Sequence, residues 1–467
     1  MTQTTILYIP IGRLTFDMEI AETYYRESLD WLTKVYGNGV IAPKQILTSP
    51  DYLEDFLESV KDQEIDTILY QSVTFADGEF MVKILDYFRE PVIVWSVREP
   101  SVGGRLRLNS LTGGNSTSNV LRNHNHPFAF VLGNPDEGAL QIRLSKQMKV
   151  MKVIKALSKM KIGVVGDYPP GFFFSDTDEP ELKKALGVSL QKFDLQQAFD
   201  ECVHLPKEEW TPEIDRAEKQ VIGLNRKDET VKKFAQFSTY IKKQIEHEEI
   251  RALAMRCWPD FFNELGAAPC STLSQFTEDG LVTSCESDIH GSISMFILRE
   301  LSGGNAPYLG DLVHVNEDSN SVVFWHCGAG AYSLANPTTG ATAGVHPNRK
   351  IGFAMDFGLK AGEVTVFRVS HTPEGYRLLV LRGEALDVEQ PFSGTSVEVA
   401  LQTDVTETLY EMMHAGYEPH FALVYGDVAD ELMELGRMLR IETKLYAAPR
   451  TREKRASYLL TGVGSEN

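Results

Sequence analysis

Residues 6–11 read Ile-Leu-Tyr-Ile-Pro-Ile, an apolar run with the length of a buried β-strand. Three more apolar runs follow at intervals that leave room for helices: 65–73, 91–97 and 128–132. Residues 17–36 and 50–62 have amphipathic helical patterns, and the second pattern begins at the typical helix-start pair Ser49 and Pro50. Continuous apolar strands that alternate with helices predict a parallel sheet with helices on both faces.

The same alternation restarts near residue 160. A lysine-rich segment, 147–161, is predicted to be a connecting helix, and the strand-like run Ile162-Gly-Val-Val-Gly166 follows it. The next part of the chain has two helical patterns and two apolar runs: helices 179–186 and 227–247, strands 251–257 and 281–286. These elements predict a second α/β layer.

Beyond residue 305 the chain changes to β-runs with turn signals such as Pro373-Glu-Gly375. The predicted strands are 321–326, 350–357, 363–370, 376–383, 396–401 and 421–425, and the predicted helices are 406–414 and 428–439. The sequence therefore predicts two doubly wound α/β domains of the flavodoxin or Rossmann type, followed by a β-rich, barrel-like C-terminal domain. The expected domains are 1–159, 160–305 and 306–467.

Composition excludes several classes of function. The 467 residues include 65 acidic and 46 basic side chains, and the net charge of -19 would repel nucleic acids and anionic membranes. No apolar run reaches the roughly 18 residues of a membrane span, and the first one is too short for a signal peptide. The five cysteines form no C-x-x-C pair, so we expect reduced thiols, a cytoplasmic protein and no four-thiolate zinc site.

Phosphate-binding motifs are absent from the sequence. Neither G-x-x-x-x-G-K-S/T nor a G-x-G-x-x-G that follows a strand occurs. The glycine-rich residues 111–115, Leu-Thr-Gly-Gly-Asn, are predicted to form a plain turn between the third and fourth strands. The sequence therefore does not indicate a nucleotide.

Four polar side chains that can bind a metal ion lie at the ends of apolar runs. Glu286 ends the run 281–286, at the edge of the predicted sheet where ligands collect. Asp311, His326 and His420 lie beside later runs. Carboxylates and imidazoles suit Mn²⁺ best, with Mg²⁺, Co²⁺ and Zn²⁺ as alternatives. Such a site could hold neighbouring oxygens of a sugar while a carboxylate moves a proton.

The residues alone leave other roles open. Glu286 and Asp311 could cap helix starts, and the histidines at 326 and 420 could be hydrogen-bonded core residues. Asp288 and His290, in the predicted first turn of a helix, could cap that helix or orient Glu286.

Four stretches resemble the L-fucose isomerase and L-arabinose isomerase superfamily, in the same order along nearly the whole chain. They are Ile9-Pro-Ile-Gly-Arg13, Cys285-Glu-Ser-Asp288, Gly310-Asp311 and Pro419-His420. The resemblance implies that Glu286 and Asp311 bind a metal ion and transfer a proton, and that His420 is a third ligand. His326 resembles an additional histidine of the arabinose isomerases, with a role towards metal or substrate.

The resemblance also implies substrate-binding residues. Arg13 resembles the arginine that fucose isomerases bring towards the sugar, and Arg256-Cys-Trp258 resembles their Arg-x-Trp segment. A surface ion pair for Arg13 and core packing for Trp258 are the alternatives. The chain is shorter than fucose isomerases and has Ala252-Leu-Ala-Met255 where they carry a glutamine-rich segment. Substrate identity therefore does not follow from the resemblance.

We accordingly expect a metal-dependent aldose–ketose isomerase that moves a proton between C1 and C2 of a deoxyhexose or pentose through an enediol. One alternative substrate is an anionic modified hexose such as sulfoquinovose. The arginines that could contact its charge are Arg13, Arg105, Arg107 and Arg256. A different class, a carbohydrate-binding protein without turnover, also uses paired α/β domains. The resemblance implies a homo-oligomer, a trimer or hexamer, with active sites near subunit interfaces.

Overall fold

The structure is a computed structural model that describes residues 4–446. The chain forms two compact units. In the described part, the first consists of residues 4–158 and 437–440, and the second of residues 159–436 and 441–446. Residues 447–467 of the predicted third domain lie outside the described residues.

The first unit contains a parallel sheet with the strand order β2-β1-β3-β4-β5. Its strands are β1 Ile6–Ile11, β2 Val40–Ile41, β3 Thr67–Ser72, β4 Val92–Ser96 and β5 Phe128–Leu132. Its helices are α1 Met18–Tyr36, α2 Pro50–Val60, α3 Glu79–Tyr87, α4 Ser110–Asn123 and α5 Gly138–Ser158. Every residue of β1, β3 and β4 is buried, as in a sheet that helices cover on both faces. The predicted parallel sheet is confirmed.

Local sequence determines where α2 begins. The Ser49 side chain accepts a hydrogen bond from the backbone N–H of Tyr52, and Pro50 occupies the first helical position. The connecting helix ends at Ser158, and the predicted segment 147–161 covers only its second half.

The predicted turn at residues 111–115 is wrong, because these residues lie in α4. A Cβ on Gly113 would come within 2.2 Å of Oγ of Ser72, and a Cβ on Gly114 would come equally close to Oγ of Ser96. The two glycines therefore allow α4 to lie directly against β3 and β4. Close packing on the sheet outweighs the weak helix propensity of glycine.

The second unit begins with a parallel sheet of strand order β10-β9-β6-β7. Its strands are β6 Lys161–Val165, β7 Ser189–Phe193, β9 Ala252–Met255 and β10 Val282–Ser284. The helices of this part are α6 Glu179–Leu186, α7 Leu195–Cys202, α8 Lys207–Glu218, α9 Glu229–Glu246, α10 Cys270–Glu278 and α11 Ile289–Leu301. A short strand, β8 Val221–Ile222, pairs with a strand of the following β-rich part.

The β-rich part of the second unit is a barrel. The strands of this part are β11 Tyr308–Asn316, β12 Ser321–His326, β13 Ala341–Gly344, β14 Ala354–Met355, β15 Phe357–Gly358, β16 Gly362–Thr372, β17 Gly375–Ala385, β18 Thr395–Leu401, β19 His420–Tyr425 and β20 Glu442–Tyr446. Of these, β13 and β14 lie outside the barrel, in a small sheet with β8. The eight-stranded sheet has the order β15-β18-β12-β11-β19-β16-β17-β20, and it closes into a barrel because β17 also pairs with β18. Two helices separate the last strands in sequence: α12 Val405–His414 lies between β18 and β19, and α13 Ala429–Leu439 lies between β19 and β20. The predicted barrel-like character is confirmed.

One predicted strand of the β-rich part is not formed as a single strand. The run 350–357 forms only the short strands β14 and β15, separated by Asp356. Within residues 4–446, no helix is both long enough and apolar enough to cross a membrane.

Candidate active site

Four side chains predicted as metal ligands converge in the second unit. Nε2 of His420 lies 3.5 Å from Oε2 of Glu286 and 3.5 Å from Oδ1 of Asp311. The two ring nitrogens of His326 lie 3.9 Å from the same two carboxylates, Nε2 from Glu286 and Nδ1 from Asp311. One cation with ligand bonds of about 2 Å can bridge atoms at these separations. The chain therefore brings together residues that are far apart in sequence.

The loop after β10 positions Glu286. The strand ends at Ser284, and α11 begins at Ile289, so Glu286 lies at the carboxyl edge of the parallel sheet. Glu286 and Ser287 have φ angles of 51° and 53°, in the left-handed region that non-glycine residues rarely adopt. Backbone strain of this kind, of order 1–3 kcal/mol, is concentrated at functional sites.

The barrel register positions Asp311 and His420. Asp311 pairs with His420 across the antiparallel ladder between β11 and β19, so the two side chains share one face. On its other side Asp311 pairs with Trp325, and His326 is the next residue and the last of β12. The helix-cap alternative is wrong for Asp311, which lies inside β11, and for Glu286, because the cap of α11 is Asp288.

Asp288 connects α11 to the site. Its Oδ1 accepts a hydrogen bond of 2.8 Å from the backbone N–H of Gly291, and its Oδ2 lies 2.9 Å from Nδ1 of His420. The guanidinium of Arg368 donates to both carboxylate oxygens, and both side chains are fully buried. A proton on Nδ1 leaves Nε2 of His420 as the ligand atom that faces Glu286 and Asp311. Asp288 therefore caps the helix, as one of the two sequence-based alternatives stated. The residue that it orients is His420, whereas the other alternative named Glu286.

His290, the second residue of α11, has a different environment. Its Nε2 lies 3.2 Å from Oγ1 of Thr177 and 3.4 Å from the hydroxyl of Tyr376. Burial lowers the pKa of His290 to about 4, so the ring is neutral near pH 7.

Burial governs the electrostatics of the site. It raises the pKa of Glu286 well above the ordinary value, and the neighbouring Cys257, Cys327 and Asp311 raise it further. Burial also lowers the pKa of His326. Burial opposes ionisation of Asp288 as well, but the charge of Arg368 and the hydrogen bond with His420 hold its pKa well below the usual range. A bound cation would supply the positive charge that an ionised Glu286 lacks.

Unpartnered buried atoms show whether a metal ion fits. Among the described residues, Oε2 of Glu286 and both ring nitrogens of His326 are buried without a hydrogen-bond partner. Each such atom costs about 1–3 kcal/mol if it stays unpaired. Ligand atoms of Glu286, His326 and His420 lie within 4.8 Å of one another. Oxygen and nitrogen donors at this spacing fit a divalent cation.

Arg256 and Trp258 follow β9, at the same edge of the sheet as Glu286. Arg256 forms an ion pair with Asp260 and borders a cavity of about 500 Å³, which Lys192 also lines. The guanidinium of Arg349 lies 5.5 Å from the centre of the Trp258 ring. Arg256 therefore offers a cation at a cavity next to the site.

Sequence reasoning missed an aromatic wall and a buried arginine. Ring contacts of 5.1–5.3 Å connect Trp258 to Phe172, Phe172 to Phe174, and Phe174 to His420. Arg368 is fully buried and forms the ion pair with Asp288. The only sequence signal for Arg368 is a lone charge inside the apolar run Val364-Thr-Val-Phe-Arg-Val369.

The other three candidate arginines lie in the first unit and have partners there. Arg13 forms an ion pair with Asp77, and both side chains are part-exposed. Arg107 forms a 2.7 Å ion pair with Asp17, and Arg105 donates to a backbone carbonyl. A role for Arg13 towards substrate stays a prediction.

The sequence is similar to those of known proteins. Residues 340–446 match the family model described as L-fucose isomerase, C-terminal domain. Over 446 residues, the chain is 78% identical to the sulfoquinovose isomerase of Priestia megaterium. The aligned residues cover 96% of this chain and all of the relative. Sulfoquinovose isomerases of Alkalicoccus urumqiensis and a Clostridium species are 57% and 37% identical, over 94% and 96% of this chain and 98% and 100% of their own lengths.

The fold, the site and these relatives define the class of enzyme. The chain is an aldose–ketose isomerase, as the sequence predicted. It belongs to the L-fucose isomerase-like family. The alternative of a carbohydrate-binding protein without turnover is therefore wrong.

Proposed function

We propose that this isomerase interconverts sulfoquinovose, a hexose with a sulfonate at C6, and the corresponding ketose, sulfofructose. The observation that carries the proposal is the 78% identity, over 96% of the chain, to a protein named sulfoquinovose isomerase. A relative at only 37% identity has the same name. These similarities favour the anionic hexose over a neutral deoxyhexose or pentose.

The proposed cofactor is Mn²⁺, with Mg²⁺, Co²⁺ and Zn²⁺ as alternatives. Glu286, Asp311 and His420 would hold the ion, and His326 would complete the set or contact substrate. When bound, the ion would polarise the sugar oxygens and make the neighbouring carbon more acidic.

Glu286 and Asp311 are proposed to transfer the protons. Both carboxylates lie 3.5 Å from the same atom, Nε2 of His420. One carboxylate removes the proton from C2 and delivers it to C1, while the other moves the hydroxyl proton from O2 to O1. The sugar passes through an enediol, and no atom is gained or lost. Burial of Glu286, which is 8% exposed, keeps bulk water away from the transferred proton.

The remaining groups are proposed to hold the sugar. Arg256 offers a planar cation of the kind that binds oxyanions with two hydrogen bonds, which suits a sulfonate. Trp258 and Phe172 supply an aromatic face for the apolar side of the sugar. Arg13 is proposed as a further substrate contact.

Assembly and location are also proposals. The family resemblance favours a homo-oligomer, a trimer or hexamer, with active sites near subunit interfaces. All five cysteines are free thiols in the structure, which supports a reducing, cytoplasmic location.

The proposal is tested by assaying the Mn²⁺-loaded enzyme with sulfoquinovose, glucose, L-fucose and L-arabinose, with the products read by NMR. We expect kcat/KM for sulfoquinovose to exceed that for each neutral sugar by about 100-fold or more, because a neutral sugar cannot form the charge-assisted hydrogen bonds of the sulfonate. Glu286→Gln should lower kcat about 10²–10⁴-fold. The exposed Glu218, paired with Arg226, gives the matched control Glu218→Gln, which should keep full activity. Conversion of a neutral sugar but not of sulfoquinovose would contradict the proposal.

A further inference from the structure

Four of the five cysteines meet beside the metal-ligand cluster. Cys257 follows β9, Cys270 begins α10, Cys285 follows β10 and Cys327 follows β12, and all four are buried. The sulfur atoms of Cys270 and Cys327 lie 3.3 Å apart. Cys202, in α7, instead donates to the backbone carbonyl of Phe199.

Part of this cluster has the spacing of a metal site. One sulfur from Cys285, one from Cys327 and a ring nitrogen of His326 lie within 4.8 Å of one another. In a tetrahedral zinc site with Zn–S bonds of about 2.3 Å, two sulfur ligands are about 3.8 Å apart. The three side chains therefore need only small adjustments to bind one ion. Cys270 touches Cys327, but its sulfur does not share the spacing of these three ligand atoms.

His326 provides a second, independent indication of a metal site. Its side chain is 3% exposed, and neither ring nitrogen has a hydrogen-bond partner within the described residues. One ring nitrogen lies 3.9 Å from Glu286 and the other 3.9 Å from Asp311, and one of the two also lies within 4.8 Å of the sulfurs of Cys285 and Cys327. A buried imidazole without partners is stabilised when it binds a cation.

We propose that Cys285, Cys327 and His326 form a second metal site, with its fourth position open, that takes a soft divalent ion such as Zn²⁺. Thiolates select such ions, whereas the carboxylates of Glu286 and Asp311 select harder ones. The two sites are neighbours because His326 contributes to both donor groups. The site consists of two thiolates and one imidazole, which differs from the four-thiolate type. Its existence does not depend on which sugar the enzyme uses.

The test is a titration of the full-length, reduced and metal-free protein with Co²⁺, in the absence of sugar. Thiolate ligands give Co²⁺ an intense near-ultraviolet charge-transfer absorption that oxygen and nitrogen ligands do not give. We expect this absorption to saturate at one equivalent of thiolate-bound Co²⁺ and to disappear when Zn²⁺ is added. Cys327→Ser should remove about half of it, because one thiolate of two is lost. The control Cys202→Ser should leave it unchanged.

Two results would overturn the proposal. The first is Co²⁺ binding by the wild-type protein without the charge-transfer absorption, which decides the question even where a serine variant does not fold. The second is an absorption of unchanged intensity in a folded Cys327→Ser variant. Neither result bears on sugar conversion, so failure of this site is distinguishable from failure of the proposed reaction.

Discussion

Asp288 shows how one buried residue serves both fold and site. Its carboxylate caps α11, accepts hydrogen bonds from Arg368 and orients His420. Breaking a buried ion pair on one side leaves the other charge without compensation. The same change also frees a ligand histidine to rotate.

We therefore predict two effects of Asp288→Asn. The free energy of unfolding should fall by about 3–5 kcal/mol, because Arg368 loses its hydrogen-bonded buried counter-charge and keeps only Glu418, at 3.6 Å. Affinity for Mn²⁺ should fall about 10–100-fold, because Nδ1 of His420 loses its carboxylate partner. Urea unfolding and metal titration measure the two effects separately.

A matched control uses an exposed ion pair. Asp215 pairs with Arg226 at 2.5 Å, and both side chains are about half-exposed. Asp215→Asn should change neither measurement, because solvent screens this pair. Unaltered Mn²⁺ affinity in a folded Asp288→Asn variant would show that Asp288 does not position His420.

At the level of single residues, sequence reasoning located the ligands better than their supports. Glu286 could be found because it follows an apolar strand, at the sheet edge where ligands collect. Arg368 and Phe174 could not be found in this way, because their partners Asp288 and His420 are distant in the chain. Such contacts depend on the tertiary fold, which periodicity does not encode.

At the level of elements, α4 packs closely against its sheet because two glycines lie at the contact. Gly113→Ala is predicted to destabilise the protein by about 1–3 kcal/mol, although alanine favours helices, because the added methyl overlaps Oγ of Ser72. The measurement is the shift of the urea unfolding midpoint. Gly138→Ala, at the exposed start of α5 where no atom lies within 4 Å of the added Cβ, should be neutral or slightly stabilising. An equal effect of the two substitutions would refute the packing argument.

Strands were predictable from the sequence where apolar residues run without interruption. Predicted and observed bounds agree for β1, β5 and β12. β11 was missed because Gly310, Asp311 and His314 interrupt its apolar pattern. The interruption coincides with the site, since Asp311 faces His420 across the ladder. The polar residues that the site requires therefore hide the apolar pattern of β11, the strand that supplies Asp311.

At the level of the whole molecule, the donor groups join the parallel sheet to the barrel within the second unit. Glu286 comes from the loop after β10, while Asp311 and His420 come from paired barrel strands. The class of each layer could be predicted because strand periodicity differs between parallel and antiparallel sheets. The closure of the barrel between β17 and β18 could not, because it joins non-consecutive parts of the chain. The three-domain division at residues 159 and 305 stays a prediction.

A cation that joins these layers should stabilise the whole protein. Adding Mn²⁺ to chelator-treated protein at 100 times its Kd is predicted to raise the free energy of unfolding by about 2.7 kcal/mol. Calorimetric melting with and without Mn²⁺ measures the effect. In His420→Ala the gain should be smaller, since one ligand is missing. An equal gain in this variant would place the stabilising ion elsewhere.

The most direct test of the account is a crystal structure with Mn²⁺ bound, with data collected at the manganese absorption edge. The account predicts an anomalous peak about 2 Å from carboxylate oxygens of Glu286 and Asp311 and from Nε2 of His420. A peak that is bound by other residues, or no peak at these three side chains in protein that converts sugar, would contradict it.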